Sequence, residues 1–559
     1  MRKEEIVETP IWSLYEKGRD YHSRHNIYFD TERNHRFFNG NQWEGVKLEG
    51  VEPVQENFIR TVVKFKVAVI HDNLYEIVYS SENHDNPEFA VVADEYCKML
   101  NRYAAKVWEK DKMNQKGRDI TRDAAINDEG ILYVDFDKST GMPINTVIDK
   151  DDVYYGNENE PNIELQPYIL VRRRLSVSEA VELAIQKGVG REKRKLIVAD
   201  KVDLGQNTSS TDDEVNANVT VIYKFYKKNG VTVVSIASRY CEMVNDAEIG
   251  TTRYPLAHFI WEKKRGSARG EGEVRNLIAN QIEVNKTAMR RVITVKNHAY
   301  QQKVVDASVF DDVSAFDRVG GVIETNGNHI EDINKAVSVI HPSSMSRDAV
   351  ELEEGLIKKS RELSDAGDAA TGSINPENAS GKAILAVQSA QRAPLTEQKE
   401  RYKDFVEDVA LIWLDYVVAH SAGGFKLEKA VTDEDGKNER IEIQEVLQAT
   451  LKELKASVKI DITPKSPFDK LAQEQTLENF LVGGWLNPDR LPALKAYVMS
   501  LDDDSTTPKN KLIKMIEAAE AEQQKIAQIT SQAQLLKQRA QRQISQVPPE
   551  FAMMAQNGI

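Results

Sequence analysis

The sequence predicts an α+β protein: a first half that mixes helices with β-hairpins, and a second half dominated by long helices. Three observations predict it. Two stretches alternate apolar and polar residues about tight turns, ILYVDFD-KSTG-PINTVIDKDDVYYG and VTVIYKFYKK-NG-VTVVSIA. Several others carry apolar residues at three- and four-residue steps, most clearly Tyr402, Phe405, Val406, Val409, Trp413 and Tyr416. Between residues 271 and 363 two helical stretches flank a short segment with its own Asn326-Gly327 turn.

In chain order, Ile11 to Phe38 reads as helix and breaks at Asn39-Gly40 within RFFNGNQW. The stretch ENFIRTVVKFKVAVIHDN is a second helix, with Phe58, Val62, Phe65 and Val69 on one face. Residues 86–128 are helical again, and the first hairpin follows with its acidic end. The strand YILVRRRL leads into a helix capped by Ser176, with Glu179 three residues on, a capping-box pattern. Residues 190–217 are charged and polar and read as an exposed loop before the second hairpin.

A Gly/Arg-rich connector then delivers the chain into a helix from about Glu271 to His298. Asn276, Asn280, Glu283, Thr287 and Arg291 form its expected polar face; Ile278, Ile282, Met289 and Val292 form the apolar one. A second helix, Ser346 to Leu363, returns. The loop SDAGDAATGSINPENASG, Ser364 to Gly381, has Asp365, Asp368 and Glu377 and neither Lys nor Arg. Such a loop is either functional or a disordered surface turn. Ser380 is the expected N-cap of a long helix to about Tyr416, kinked at Pro394. Residues 423–462 hold polar turns, the helix QEVLQATLKEL and the strand SVKIDITP. From about Lys509 to Ile544 a Gln- and Ala-rich helix shows a heptad pattern with Glu522 out of place, either a coiled coil or a packing face within one subunit. The last residues read as a loose tail.

Composition narrows the function. With 559 residues the chain is long enough for several domains. Lys plus Arg is 74 and Asp plus Glu is 88, a net charge of −14, which disfavours tight general nucleic-acid binding. It does not exclude a protein that DNA must pass without sticking. Two cysteines, Cys97 and Cys241, exclude a disulfide framework and suit a reducing compartment. The N-terminus lacks a signal-peptide core, and the best apolar run, VALIWLDYVVA, carries Asp415, so cytosolic synthesis and no membrane association are expected.

Enzyme motifs fail one by one. Gly381-Lys382 is followed by Ala383, and Pro376 stands where a phosphate loop needs glycine. Gly270-Glu271-Gly272 continues to Arg275, which breaks the dinucleotide fingerprint. His22 and His25 lack a third ligand nearby. Asp135, Asp137, Asp151 and Asp152 could hold magnesium for a nuclease, or be solvated turn residues. The runs Arg172–Arg174 and Lys263–Arg265 read as solvated faces or, in a minority reading, phosphate contacts. No catalytic residue, cofactor or metal site is expected.

The order of segments resembles the portal proteins of tailed bacteriophages, the head-to-tail connectors. The resemblance covers most of the chain and rests on RFFNGNQW, the first hairpin, GEGEVRNLIANQIEVN, NASGKAILAVQSAQRAPL and SPFDKLAQEQTLENFLVGGWLNP, taken in that order. It implies a portal-protein fold: a mixed α/β wing (1–270 and 421–465), a two-helix stem (271–298 and 346–363) and a small α/β clip (299–345). It further implies a tunnel loop (364–381), a long kinked wing helix (382–420), a helical crown (466–546) and a flexible tail (547–559). It implies a homo-oligomeric ring, typically a dodecamer, assembled in the host cytoplasm and placed at one capsid vertex of the virion. Double-stranded DNA would pass through its channel during packaging and ejection. Terminase large subunit, a head-completion or adaptor protein, and major capsid and scaffolding protein are the implied partners. Asp365, Asp368, Ser373, Asn375, Glu377 and Asn378 would line the channel as tunnel-loop residues. Arg275, Lys286, Arg290 and Lys296 would face the channel from the first stem helix, or else, with Arg291, form salt bridges to Glu351, Glu353 and Glu354 of the second. Asp311, Asp312, Asn326 and Asn328 would be clip contacts. Two other readings stay open: another virion scaffold or adaptor, and a packaging-associated nuclease.

Overall fold

The computed structural model describes residues 7–47, 52–72, 75–81, 87–200, 218–299, 302–310, 312–317, 323–325, 335–340, 347–367, 393–421, 426–432, 439–445 and 448–462. All of them lie in the first of two compact units, Met1–Thr463; the second is Pro464–Ile559. The expected crown, the heptad helix and the tail therefore lie outside the described residues, as does Ser380.

The architecture is mixed α and β. The N-terminal helical stretch is two helices, α1 (Pro10–Arg24) and α2 (Ile27–Asn39). Asn26 takes a left-handed φ of 56° between them, a conformation asparagine tolerates, and the sequence pattern alone does not mark that break. Gly40 closes α2 at φ 93°. Helix α3 (Phe58–Ile70) is capped by Asn57, whose side chain accepts from the Arg60 N–H. Strand β1 (Ile77–Ser81), α4 (Pro87–Lys110) and α5 (Met113–Ile126) follow.

The first hairpin is β2 (Glu129–Asp137) with β3 (Met142–Ile148), in register from Ile131↔Ile148 to Asp137↔Met142. Strand β9 (Leu256–Ile260) joins its other edge, giving the order β3-β2-β9. A five-stranded antiparallel sheet runs β4 (Val153–Tyr155), β5 (Ile169–Ser176), β6 (Asn218–Lys228), β7 (Val231–Ala237) and β8 (Glu242–Glu248). The β6–β7 turn places Asn229 at φ 53° and Gly230 at φ 79°, the geometry that makes Asn-Gly a hairpin signal. Ser176 and Glu179 form the expected capping box of α6 (Val177–Gln186). Helix α7 (Arg191–Arg194) lies in the stretch expected to be loop, and Ile197 beside it is buried.

The five-stranded sheet is covered on both faces, as period-two alternation requires. Val153, Tyr155, Ile169, Val171, Val221 and Tyr223 share one cluster with Ala180 and Ala184 of α6. Tyr154, Leu170 and Ile222 point the other way and pack with Ile11, Trp12 and Tyr15 of α1.

The larger core gathers α3, α4, α5 and β2 around α10 (Thr396–His420). The apolar stripe of α10 is buried as expected, and in its second half Ile412 to Val417 are buried on every side, as in a central helix. Asp415, inside that run, accepts from the Thr252 N–H (2.8 Å), the Thr252 hydroxyl (2.8 Å) and the Arg253 N–H (3.1 Å), so burial of its charge is compensated. Pro394 sits in a 3-10 turn, Ala393–Leu395, immediately before α10. Among the described residues the α-helix thus starts after the proline instead of passing through it. The polar stretch near 430 forms an unexpected hairpin, β14 (Lys426–Thr432) with β15 (Glu439–Glu445). Helix α11 (Gln448–Ser457) leads into β16 (Val458–Ile462), which pairs antiparallel with β1 from Ile77↔Ile462 to Ser81↔Val458.

Candidate stem hairpin and its buried root

The Gly/Arg-rich connector is structured. Short strands β10 (Glu262–Lys263) and β11 (Gly270–Glu271) pair with each other and lead into α8 (Glu273–Ala299). Added at Gly272, a Cβ would stand 2.2 Å from the Asn127 carbonyl oxygen; at Gly270, 2.5 Å from that of Glu262. The Gly-Glu-Gly run is therefore a close backbone crossing at the α5–β2 junction, a physical reason for its glycines unrelated to a dinucleotide.

Arg269, just before this crossing, is the hub of a buried ion cluster. Its guanidinium donates to Glu129, to both oxygens of Glu158 (2.9 and 3.1 Å), to the Val153 carbonyl (3.0 Å) and to His22 Nε2 (2.8 Å), and it lies 5.0 Å over the Tyr155 ring. Glu129 also accepts from the Tyr155 hydroxyl (3.1 Å) and lies 2.7 Å from His258 Nε2. Beside it Lys150 and Asp128 form a second buried pair at 2.6 Å. Burial alone would raise the Glu129 pKa, but Arg269 and the His258 hydrogen bond outweigh it and hold it to about 2. Burial, then Arg269, push His22 down to about 2, so its Nε2 is a neutral acceptor. His22 thus serves as a neutral prop for Arg269, while His25 is exposed at the end of α1. Among the described residues no three His, Cys, Asp or Glu side chains gather as metal ligands do.

The four acidic residues considered for magnesium are engaged structurally. Asp137 accepts from Ser139 and Thr140 in the hairpin turn, Asp151 from Thr31, and Asp152 from Arg172 at 2.6 Å; Asp135 accepts from the Phe136 N–H. The Arg172–Arg174 run is thereby partly absorbed, with Arg173 lying over the Tyr223 ring.

Helix α8 is rooted by a polar ladder. Gln281 donates to the Glu56 carbonyl (2.6 Å) and to Asn285 (3.0 Å); Asn285 accepts from the Glu56 N–H (3.2 Å) and donates to Gln42. Glu273 pairs with the buried Lys66 at 2.9 Å. These bonds correct the face assignment. The buried set is Val274, Leu277, Ile278, Gln281, Val284, Asn285, Thr287 and Ala288, while Ile282, expected on the apolar face, is exposed and Thr287, expected on the polar face, is buried. A polarity pattern misreads a helix that buries amides in a satisfied ladder. Burial of α8 ends at Ala288.

Between α8 and the returning helix α9 (Arg347–Leu363) the chain forms a small two-stranded insert, β12 (Gln302–Val305) with β13 (Val337–Ile340). The helices pack through Asn280 to the Ser360 hydroxyl (2.9 Å) and Arg291 to the buried Glu353 (3.0 Å). Helix α9 ends with Ala366 N–H bonded to the Arg361 carbonyl and Asp365 at φ 55°, a Schellman-type stop.

The structure brings Arg275, Lys286 and Arg290 onto one exposed stripe of α8, with Ala279 and Ile282 between them; Lys296 is exposed farther out. Arg275 approaches Asp30 at 3.9 Å and Lys286 pairs with Glu283 at 2.7 Å. Among the described residues Arg291 is the α8 cation of this set that bridges to α9, so the expected pairing between these two helices exists at one point and the stripe of Arg275, Lys286 and Arg290 does not turn toward α9. Asp365 is half-buried at a helix stop, a role its loop composition does not reveal. Asp368, Ser373, Asn375, Glu377 and Asn378 lie outside the described residues, as do Asp311, Asn326 and Asn328. Asp312 is exposed, and its carboxylate accepts from the Ser314 N–H (2.9 Å) at the start of a 3-10 turn. The Arg269 cluster itself escapes sequence reasoning; its marks are a Glu opening the strand EGILYVDFD and an Arg immediately before Gly-Glu-Gly. Among the described residues no helix is long and apolar enough to cross a membrane.

No curated protein matches this sequence. Residues 15–557 match the family described as Phage P22-like portal protein, which spans nearly the whole chain. The chain therefore belongs to the phage P22-like portal protein family, and its general role is that of a portal protein in viral genome packaging.

Proposed function

We propose that copies of this chain close into a ring, a dodecamer, at the unique vertex of the capsid. Double-stranded DNA enters through its channel during packaging and leaves through it at ejection. In this reading α8 and α9 are the stem, residues 299–345 the clip, 364–381 the tunnel loop and 382–420 the long wing helix. Residues 1–270 and 421–465 make the wing, and 466–546 the crown. The clip meets the terminase large subunit and later the head-completion or adaptor protein, and the ring nucleates assembly with major capsid and scaffolding protein. The protein performs no catalysis; the motor supplies the work.

The observation that carries this reading is the helical hairpin itself. The first half of α8 is rooted by buried ions and amides, and beyond Ala288 none of its described residues is fully buried. A net charge of −14 also suits a conduit that must not hold phosphate. Negative-stain microscopy of the purified full chain tests it: rings with a central opening are expected, and a strictly monomeric species under all assembly conditions would refute it. Incubation with DNA and magnesium separates the nuclease reading, for which cleavage would be the positive result.

A further inference from the structure

We infer that the exposed stripe of α8 is the seat for α9 of the next copy, in a fixed register; the inference rests on the ring reading above. The hairpin's own contacts set that register. Asn280 lies level with Ser360, and Arg291 with Glu353. Lys286 and Arg290 are therefore level with the turns of α9 that hold Glu354 and Glu351, and Ile282 is level with Lys358. Rotation about an axis running along the hairpin leaves every height unchanged, so the same levels meet between neighbouring copies.

The faces match in charge and polarity at those heights. On α8 the residues that point outward, spaced by four, three, four and four, are Arg275, Ala279, Ile282, Lys286 and Arg290. On α9 the side turned away from α8 exposes Glu351, Glu354, Lys358 and Glu362. Lys286 and Arg290 thus meet Glu351 and Glu354, and Lys358 meets Glu283. Ile282, 36% exposed, falls level with Lys358, whose aliphatic stem can lie over it while its ammonium reaches Glu283. The pairs α9 makes within itself, Arg347–Glu351 at 3.0 Å and Lys358–Glu362 at 4.0 Å, are solvent-exposed and exchange readily for pairs across an interface. Lys286 and Arg290 then sit between subunits instead of on the channel wall.

Charge exchange in the full chain tests this. The variants Lys286→Glu with Arg290→Glu, and Glu351→Lys with Glu354→Lys, are each expected to raise the protein concentration needed for ring closure about tenfold or more, measured by mass photometry with unchanged circular dichroism. Combining all four is expected to restore closure to within about threefold of the parent. Rings indifferent to both exchanges, or a fourfold variant no better than either half, overturn the register while leaving the ring reading intact. A parent chain that never closes overturns both. A second measurement does not depend on charge pairing: Ile282→Cys with Lys358→Cys should give disulfide-linked ladders of several copies on mild oxidation, and exclusively unlinked or intrachain-bridged product refutes the contact.

Discussion

The root of the α8–α9 hairpin and its outer half are built on opposite plans. At the root, charges are buried and over-satisfied: Arg269 serves Glu129, Glu158, His22 and a carbonyl, and two glycines let backbones touch. Farther out, Glu351, Glu354, Lys358 and Glu362 of α9 are exposed, two of the pairs there lie within one turn of α9, and Arg291 reaches across from α8 to the buried Glu353. The root thus holds α8 against the body within one chain, whereas the outer half leaves an exposed, charged surface, the one the proposed ring would use. Stability should reside in the first region and assembly in the second.

The largest effect expected from breaking this contrast is at Arg269. Arg269→Met leaves Glu129 buried without its main counter-ion and should cost about 3–5 kcal/mol in denaturant unfolding. Gly272→Ala comes next. Its methyl would meet the Asn127 carbonyl at 2.2 Å, and shifting that backbone should cost about 2–3 kcal/mol, read as a lower thermal midpoint.

The body also carries a pH signature that the outer stem lacks. His71, packed 4.6 Å from the Tyr402 ring, is pushed to about 4, chiefly by burial. Above pH 6.5 neither the folded nor the unfolded chain holds the extra proton. Between 6.5 and about 4 the unfolded chain binds it and the folded chain does not, so this stability is lost as pH falls through that window. Moving from pH 7.5 to 5 should cost the parent about 2 kcal/mol more than a His71→Gln variant, in paired denaturant titrations.

Two smaller effects sharpen the other side. Arg291→Met removes the partner of buried Glu353, but the arginine is itself 41% exposed, so a loss of about 1 kcal/mol is expected in the same titrations. Arg347→Ala, in a pair open to water, should leave the thermal midpoint of the unassembled chain unchanged within error.

What could be read from the sequence follows the range of the interactions. Local signals spoke clearly: the Asn229-Gly230 turn, the Ser176–Glu179 capping box, the Gly40 stop and the α10 stripe all stand as expected. So does the order of helix, small insert and helix around β12 and β13. Elements defined by distant partners stayed silent. Strand β9 pairs with β2 across more than a hundred residues, and the β14–β15 hairpin is too polar to stand out from loop. On α8 the expected faces misplace Ile282 and Thr287, because Gln281 and Asn285 turn a polar flank inward once Glu56 and Gln42 stand against them. The expected channel-facing placement of Arg275, Lys286, Arg290 and Lys296 turns on neighbours outside a single chain, which its sequence cannot position.

The pairing of β1 with β16 has a consequence for how each copy is made. Ser81 leaves the ribosome 377 residues before Val458, its register partner, the difference of their numbers. At about 5–20 residues per second, roughly 20–75 seconds pass before the seam can shut. Throughout that interval β1 offers an open edge to any passing strand. Synthesis, crowded with identical nascent chains, is thus the stage at which this fold is most vulnerable, and quick completion of each copy is its protection.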